Sequence, residues 1–222
     1  MNNARDHQRV NDILLGPLER PVLKWLAARS PAWVTPDLYT CVGMAGALVV
    51  LAGYALSNLD RNFLWLASLG FVLNWLGDSM DGTLARHRNI ERPVIGFFMD
   101  HTTDAASQAV MFLGLGLSPY VGFEIAALAL IAYMMLSVVI YVRTYATGEF
   151  VISYGKLGPT ETRVIAVGLN AVMFFAGTRE IAAGALRLNP YDLAVGGVTL
   201  LLLIFFAVTV VRETVRMRKT NR

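Results

Sequence analysis

Two neighbouring segments decide how this chain is read: Asn74-Trp75-Leu76-Gly77-Asp78-Ser79-Met80-Asp81-Gly82-Thr83-Leu84-Ala85-Arg86 and, nine residues later, Gly96-Phe97-Phe98-Met99-Asp100-His101-Thr102-Thr103-Asp104. The first continues an apolar run that begins at Asn62, and the second opens another that extends through Ala105 to Phe123. Read as helices, Asp78 and Asp81 lie about 60° apart around the axis, and Asp100 and Asp104 about 40°. Each helix therefore presents two carboxylates on one face. A charge inside a bilayer costs ~2.5–3.5 kcal/mol even on the lenient insertion scale, so four carry a cost on the order of 10 kcal/mol that something must offset.

The rest of the chain supports membrane segments. Of 222 residues 55% are hydrophobic and 16% charged, where a soluble domain carries roughly 25% charge; mean hydropathy is +0.52. Charge-free runs occupy Leu38 to Leu59, Ala105 to Phe123, Ile125 to Val142 and Leu193 to Val211, each near the ~20 residues that cross a bilayer. The shorter blocks Asn62 to Gly77 and Val164 to Thr178 bring the number to six. No segment between or beside them exceeds about 40 residues, which excludes a separate soluble catalytic domain of roughly 50 or more. The expected fold is an all-α integral membrane protein with six transmembrane helices and an N-terminal interfacial amphipathic helix. Residues 1–37 form the cytoplasmic interfacial helix and lead-in, 38–216 the six-helix membrane domain, and 217–222 a basic cytoplasmic tail.

Lysine and arginine set the orientation, because cytoplasmic loops carry the excess. Arg61, Arg179 and Arg187 fall on one side of the six-span arrangement, and the other sixteen of nineteen fall on the opposite side. Both termini are therefore expected in the cytoplasm. The net charge of +3 reflects topology and anionic lipid headgroups, with no nucleic-acid partner expected. The first 37 residues lack an apolar run of signal-peptide length, so no cleavable signal is expected. Cys41, the one cysteine, is expected only to pack.

Within the lead-in, Val10 to Ala28 mixes apolar with charged residues and is interrupted by Gly16-Pro17, as in a helix lying on the membrane surface. Two prolines and a helix-start residue in Ser30 to Asp37 place the start of the first span just after Pro36. Trp25, Trp33 and Trp65 read as interface anchors. Gly43, Gly46, Gly53, Gly114, Gly116, Gly168, Gly196 and Gly197 read as points where helix backbones approach closely.

Arg86 can neutralise one of the four carboxylates, and divalent cations are the natural counterpart of the remainder. A carboxylate-rich, sulfur-free set suits hard ions such as Mg²⁺, Mn²⁺ or Ca²⁺. Four carboxylates can support two ions, an arrangement suited to displacement at phosphorus. The plainer reading, ordinary solvated aspartates at helix ends, accounts poorly for facing pairs spaced three and four residues apart across a short loop. His101 reads either as a polar packing residue or as a participant, and its ordinary pKa near ~6.5 makes it the better intrinsic base. Gly82 and Gly96 leave room for a ligand or a facing helix near the backbone.

Asp78-x2-Asp81-Gly82-x2-Ala85-Arg86, then Gly96-x3-Asp100-x3-Asp104, resembles the signature of the CDP-alcohol phosphotransferases, also called CDP-alcohol phosphatidyltransferases. The spacer is one residue longer than usual for that family, and the six-span layout is similar to the family core. The resemblance implies a Mg²⁺- or Mn²⁺-dependent membrane enzyme of phospholipid biosynthesis, with two ions per site. It transfers a substituted phosphoryl group, such as phosphatidyl from CDP-diacylglycerol, to an alcohol hydroxyl and releases CMP. It further implies Asp78, Asp81, Asp100 and Asp104 as metal ligands, with Asp104 also a candidate general base, and Gly82, Ala85 and Arg86 as the hold on the CDP portion. Thr35 to Thr40 resembles the family's opening of the first span, which implies Asp37 and Thr40 at the nucleotide; a helix N-cap explains Asp37 almost as well.

Asp100-His101 together with Gly158-Pro159-Thr160-Glu161 also resembles elements of choline- and ethanolamine-phosphotransferases, which implies His101 and Glu161 at the acceptor hydroxyl. That leaves an alternative in which a CDP-amino-alcohol is the donor and a lipid alcohol the acceptor. The chain length is closer to bacterial or archaeal members, implying a prokaryotic inner membrane with the site on its cytoplasmic side. Arg143, Lys156 and Arg163 fall where relatives bind a phosphorylated acceptor, although the positive-inside pattern accounts for them too. Glu161 can equally pair with Lys156 or Arg163. A homodimer is implied. The choice among Asp104, His101 and Glu161 as base, the metal, and which substrate carries the lipid stay open. A cation transporter or channel would spread acids across membrane depth, a catalytically dead scaffold would not keep every signature acid, and a prenyl-diphosphate transferase would not need the Gly82, Ala85 and Arg86 spacing.

Overall fold

The computed structural model describes residues 14–147, 158–178, 181–183 and 186–220. Among them lie helices α1 (Gly16–Arg29), α2 (Pro36–Leu56), α3 (Phe63–Arg88), α4 (Pro93–Gly116), α5 (Phe123–Thr147), α6 (Pro159–Ala176) and α7 (Pro190–Thr220), with strands β1 (Ile181–Ala183) and β2 (Leu186–Leu188) between α6 and α7. The six apolar blocks become the six helices α2 to α7. Three of these, α2, α5 and α7, are long and apolar enough to cross a membrane by length and composition. The others, α3, α4 and α6, carry charged and polar residues within their helical bounds, Asp78, Asp81, Asp100, Asp104, Glu161 and Arg163 among them, which lowers their apolar character below that of a plain span. The protein is built of helices and belongs in a membrane.

Three local differences from the sequence reading have local causes. Gly16-Pro17 opens α1 instead of interrupting a longer helix, because proline's missing N–H costs nothing in a first turn; Val10 to Ile13 lie outside the described residues. A short antiparallel hairpin, in which Ile181 pairs with Leu188 and Ala183 with Leu186, is added to an otherwise all-α fold among the described residues. The second span reaches Arg88, two residues past the quoted motif, and stops where Asn89 takes left-handed backbone angles (φ 56°, ψ 40°), which asparagine tolerates better than most residues. The start of α2 follows expectation: Thr35 caps it, its hydroxyl accepting from the Leu38 N–H at 3.2 Å, with Pro36 in the first turn.

Glycines set how closely α2 and α3 pack. A methyl group on Gly46 or Gly77 would collide with the backbone of Asn74 or Gly43 on the other helix, and one on Gly70 would stand 2.6 Å from the Val50 nitrogen. Gly114 brings α4 equally close to Leu51 of α2. Gly168, Gly196 and Gly197 differ from the expectation, with nothing within 4 Å of the position a methyl would take. Buried polar bonds lock the register: Asn74 Nδ2 donates to the Gly43 carbonyl at 2.9 Å, and Tyr54, Asn170 and Ser68 chain α2, α6 and α3 together.

Two apolar clusters divide the bundle. Val50, Tyr54, Leu64, Phe71, Tyr120, Met173 and Tyr191 pack around the ends of α2, α4 and α6 and the starts of α3, α5 and α7. Leu23 and Ala27 of α1, with Val34, pack on Met80 and Leu84 at the other end of α3. The aspartates lie at this second end, so α1 is fastened beside them. Trp25, Trp33 and Trp65 are exposed, as anchors would be, and so is Cys41.

Candidate active site

The turn from Asn89 to Arg92 reverses the chain, and Pro93 restarts it as α4. Asp78 of α3 thereby meets Asp100 and Asp104 of α4, one carboxylate oxygen from each lying within 4.8 Å of the others. Asp104 and Asp100 share a face because they are one turn apart. Three oxygens converging at this separation, with no sulfur among them, fit one hard divalent cation such as Mg²⁺ or Mn²⁺.

Asp81 stands beside this cluster but outside it. Its Oδ2 accepts from the Thr40 hydroxyl at 2.9 Å and its Oδ1 from the Gly82 N–H, so α2 and the α3 backbone hold the carboxylate. All four aspartates line one pocket of about 680 Å³. Asp37, Thr40, Gly82, Ala85, Arg86, His101 and Arg163 line it too. Asp37 of α2 is ion-paired with Arg92 from the α3–α4 turn. Gly82 leaves space for the Arg86 guanidinium: a methyl group there would lie 3.1 Å from Nη1. Nothing lies within 4 Å of the corresponding point at Gly96.

A positive charge reaches the carboxylate cluster from α6. Arg163 of α6 donates from Nη2 to Asp78 Oδ2 at 2.8 Å and from Nε to Asn74 Oδ1 at 2.8 Å. The sequence had pointed to Arg86, whose Nη2 donates to the Thr83 hydroxyl at 3.3 Å. His101 stacks on Phe97 with ring centroids 4.1 Å apart and meets the Tyr141 edge at 5.1 Å. Its Nδ1 is 2.8 Å from the Phe97 carbonyl and 3.6 Å from Asp100 Oδ2. A carbonyl only accepts, so Nδ1 is the donor in this contact.

Two expected residues are elsewhere, and a third is not among the described residues. Glu161 is buried outside the pocket lining. Its carboxylate takes the Gly158 N–H at 2.9 Å and the Leu15 N–H of the α1 lead-in at 2.8 Å, while Arg163 bonds to Asn74 and Asp78. Burial opposes its ionisation, but the backbone N–H donors outweigh that and hold the carboxyl below its ordinary value. Arg143, at the end of α5, is 3.4 Å from Glu213 of α7 and does not line the pocket. Lys156 lies outside the described residues.

One pocket residue escaped the sequence reading altogether. Glu19 of α1 accepts from Trp75 Nε1 at 2.8 Å, from Ser79 Oγ at 2.9 Å, and from Thr160 Oγ1 at 3.1 Å. Its partners are 56, 60 and 141 residues away, so no local spacing could have revealed them.

The sequence matches the CDP-alcohol phosphatidyltransferase model over residues 33–211, a stretch that contains every pocket aspartate. The chain belongs to the CDP-alcohol phosphatidyltransferase family. Among curated members of this CDP-alcohol phosphatidyltransferase family, cholinephosphotransferase 1 of Gallus gallus is 30% identical over 178 residues, 74% of this chain and 51% of that protein. The archaetidylinositol phosphate synthase of Methanothermobacter thermautotrophicus is 33% identical over 110 residues, half of this chain and 52% of that protein. The chain thus spans about half the length of the curated relatives it matches. The fold is shared with the phosphatidylinositol phosphate synthase of Mycobacterium tuberculosis solved with CDP-DAG bound: TM-score 0.54 at 22% identity, covering 86% of this chain and 89% of that one. The same enzyme has also been solved with manganese and citrate, again at a TM-score of 0.54.

Proposed function

We propose that this protein is a metal-dependent phosphotransferase of phospholipid biosynthesis that moves a substituted phosphoryl group from a CDP-linked donor to an alcohol hydroxyl, releasing CMP. The observation that carries this reading is the convergence of Asp78, Asp100 and Asp104 in a pocket that also holds Asp81, Gly82, Ala85 and Arg86. Asp78, Asp100 and Asp104 would hold one Mg²⁺ or Mn²⁺, and Asp81 would contribute to a second. When bound, such ions neutralise a pyrophosphate and stabilise departing CMP.

The chain's own groups do the rest. Arg86, Asp37 and Thr40 orient the nucleotide, with Gly82 leaving room for the Arg86 guanidinium. The acceptor hydroxyl loses its proton to Asp104 or to Nε2 of His101 as its oxygen attacks the phosphorus distal to cytidine. His101 has the better intrinsic basicity, because a carboxylate bound to a cation is a poor base. Arg163, tied to Asp78, keeps one positive charge among the acids throughout. Glu161, engaged by two backbone N–H groups, serves this site by holding α1 against α6.

For the donor, CDP-diacylglycerol is the first reading, supported by the fold shared with the CDP-DAG-bound synthase. The second, a CDP-amino-alcohol donor with a lipid alcohol acceptor, is favoured by the 30% identity to a cholinephosphotransferase and by His101 beside Asp100 in the pocket. The remaining finer expectations belong to the same reading: six spans, the site and both termini on the cytoplasmic face of a prokaryotic inner membrane, and a homodimer. Gly168, Gly196 and Gly197 leave room on α6 and α7 for a neighbouring helix.

The experiment is CMP release by purified protein in nanodiscs, with CDP-diacylglycerol, CDP-choline and CDP-ethanolamine each set against a panel of acceptors, with and without EDTA. EDTA-sensitive CMP release with one pairing establishes the reaction and says which partner carries the lipid. CMP release that is indifferent to EDTA would sink the metal-dependent reading.

A further inference from the structure

We propose that Glu19 is a positioning residue for the carboxylate cluster, a role that makes α1 a strap across the site and that rests on the metal-dependent reading above. Beside the aspartates, two polar connections join α3 to α6. One is direct, between Asp78 and Arg163 at 2.8 Å. The other passes through Glu19, which accepts from Trp75 and Ser79 on α3 and from Thr160 on α6. Ser79 adjoins Asp78, Trp75 adjoins Asn74, and Thr160 lies one turn before Arg163, so the Glu19 bonds run parallel to the bonds Arg163 makes to Asp78 and Asn74.

The chemistry suits a clamp. An indole N–H can only donate, and a carboxylate can only accept. One acceptor that takes an indole and two hydroxyls from two helices fixes their spacing and rotation together. The strap is itself held at three places: by the Glu161 carboxylate on the Leu15 N–H at 2.8 Å, by Glu19, and by Leu23 and Ala27 packed on Met80 and Leu84. Without Glu19 the α3–α6 spacing relaxes, and Arg163 draws Asp78 away from Asp100 and Asp104. Groups that orient metal ligands from behind typically change metal affinity or activity about 10–100-fold when removed.

The test measures Mn²⁺ binding by electron paramagnetic resonance on the full chain in nanodiscs, alongside thermal unfolding. Glu19→Ala is expected to weaken Mn²⁺ binding about tenfold or more. Glu19→Gln keeps the oxygen that serves Trp75 and Ser79 and is expected to stay within about threefold of the parent. The double variant Ser79→Ala/Thr160→Val, which keeps the carboxylate and removes two of its donors, is expected to weaken binding as Glu19→Ala does, and it stands in for Glu19→Ala should that variant not fold. Parent-like Mn²⁺ affinity in folded Glu19→Ala or in the double variant overturns the proposal, as does Glu19→Gln failing as badly as Ala. A parent that binds no Mn²⁺ refutes the metal reading instead. The positioning is then read from the distance between spin labels at His87 and Val164 in a Cys41→Ser background: broadening in Glu19→Ala and in the double variant, with a parent-like distance in Glu19→Gln, supports it, and unchanged distances overturn it.

Discussion

Arg163 of α6 and Asp78 of α3 form an ion pair at 2.8 Å, with side chains 13% and 20% exposed, in the pocket that four aspartates line. A guanidinium held there by Asn74 as well offsets part of the mutual repulsion of carboxylates gathered in an apolar bundle. It also joins α6 to α3, the helix that opens the motif.

Removing one partner of a mostly buried pair leaves the other uncompensated, at about 3–5 kcal/mol. Arg163→Met is therefore expected to lower the unfolding midpoint sharply and to abolish CMP release. Arg163→Lys keeps the charge, loses the Nε bond to Asn74, and is expected to fall between. Thermal unfolding in detergent, read beside CMP release, checks the order; equal loss in both variants would mean that charge alone is not what matters.

Asp104 belongs to the three-carboxylate cluster and is a candidate base. Asp104→Asn is expected to lower metal-dependent CMP release at least about 100-fold, and EDTA to silence the parent until Mn²⁺ or Mg²⁺ is restored. Retained activity in Asp104→Asn would remove it from both roles.

Glu161 gives a pH signature. Its carboxyl is held below its ordinary value of 4.5 in the folded protein by the Leu15 and Gly158 N–H groups, which outweigh burial. A lowered folded-state value means that its contribution is complete above pH 4.5 and is lost as pH falls through that lower value. Glu161→Gln is expected to unfold earlier than the parent at pH 7, by roughly 2–4 °C per kcal/mol lost. That gap is expected to narrow as the pH drops below 4.5; a gap constant from pH 7 to pH 3.5 would contradict the assignment.

Gly77→Val is expected to wedge α3 off Gly43 of α2, costing about 1–3 kcal/mol or more. Gly197→Ala, where nothing lies within 4 Å of the new methyl, is expected to stay within about 0.5 kcal/mol. Midpoints from fluorescence-detected size-exclusion after heating distinguish the two, and equal midpoints would refute the close α2–α3 approach.

Several features could be read directly from the chain because their signals are local. The apolar blocks mark α2 to α7, Thr35-Pro36 starts α2, and spacings of three and four put Asp78 with Asp81, and Asp100 with Asp104, on shared helix faces. Helix periodicity and capping depend on neighbours within a turn, so sequence order alone specifies them. What lies between distant segments was not legible. Arg163 rather than Arg86 pairs with Asp78, Thr40 of α2 holds Asp81, Glu161 takes the α1 backbone, and Arg143 goes to Glu213. These outcomes depend on how glycine contacts set the packing of α2 on α3 and on where α6 then docks. Glu19 is the clearest case: on its own helix it is one charge among several, and it becomes part of the site only because Leu23 and Ala27 lay that helix against α3.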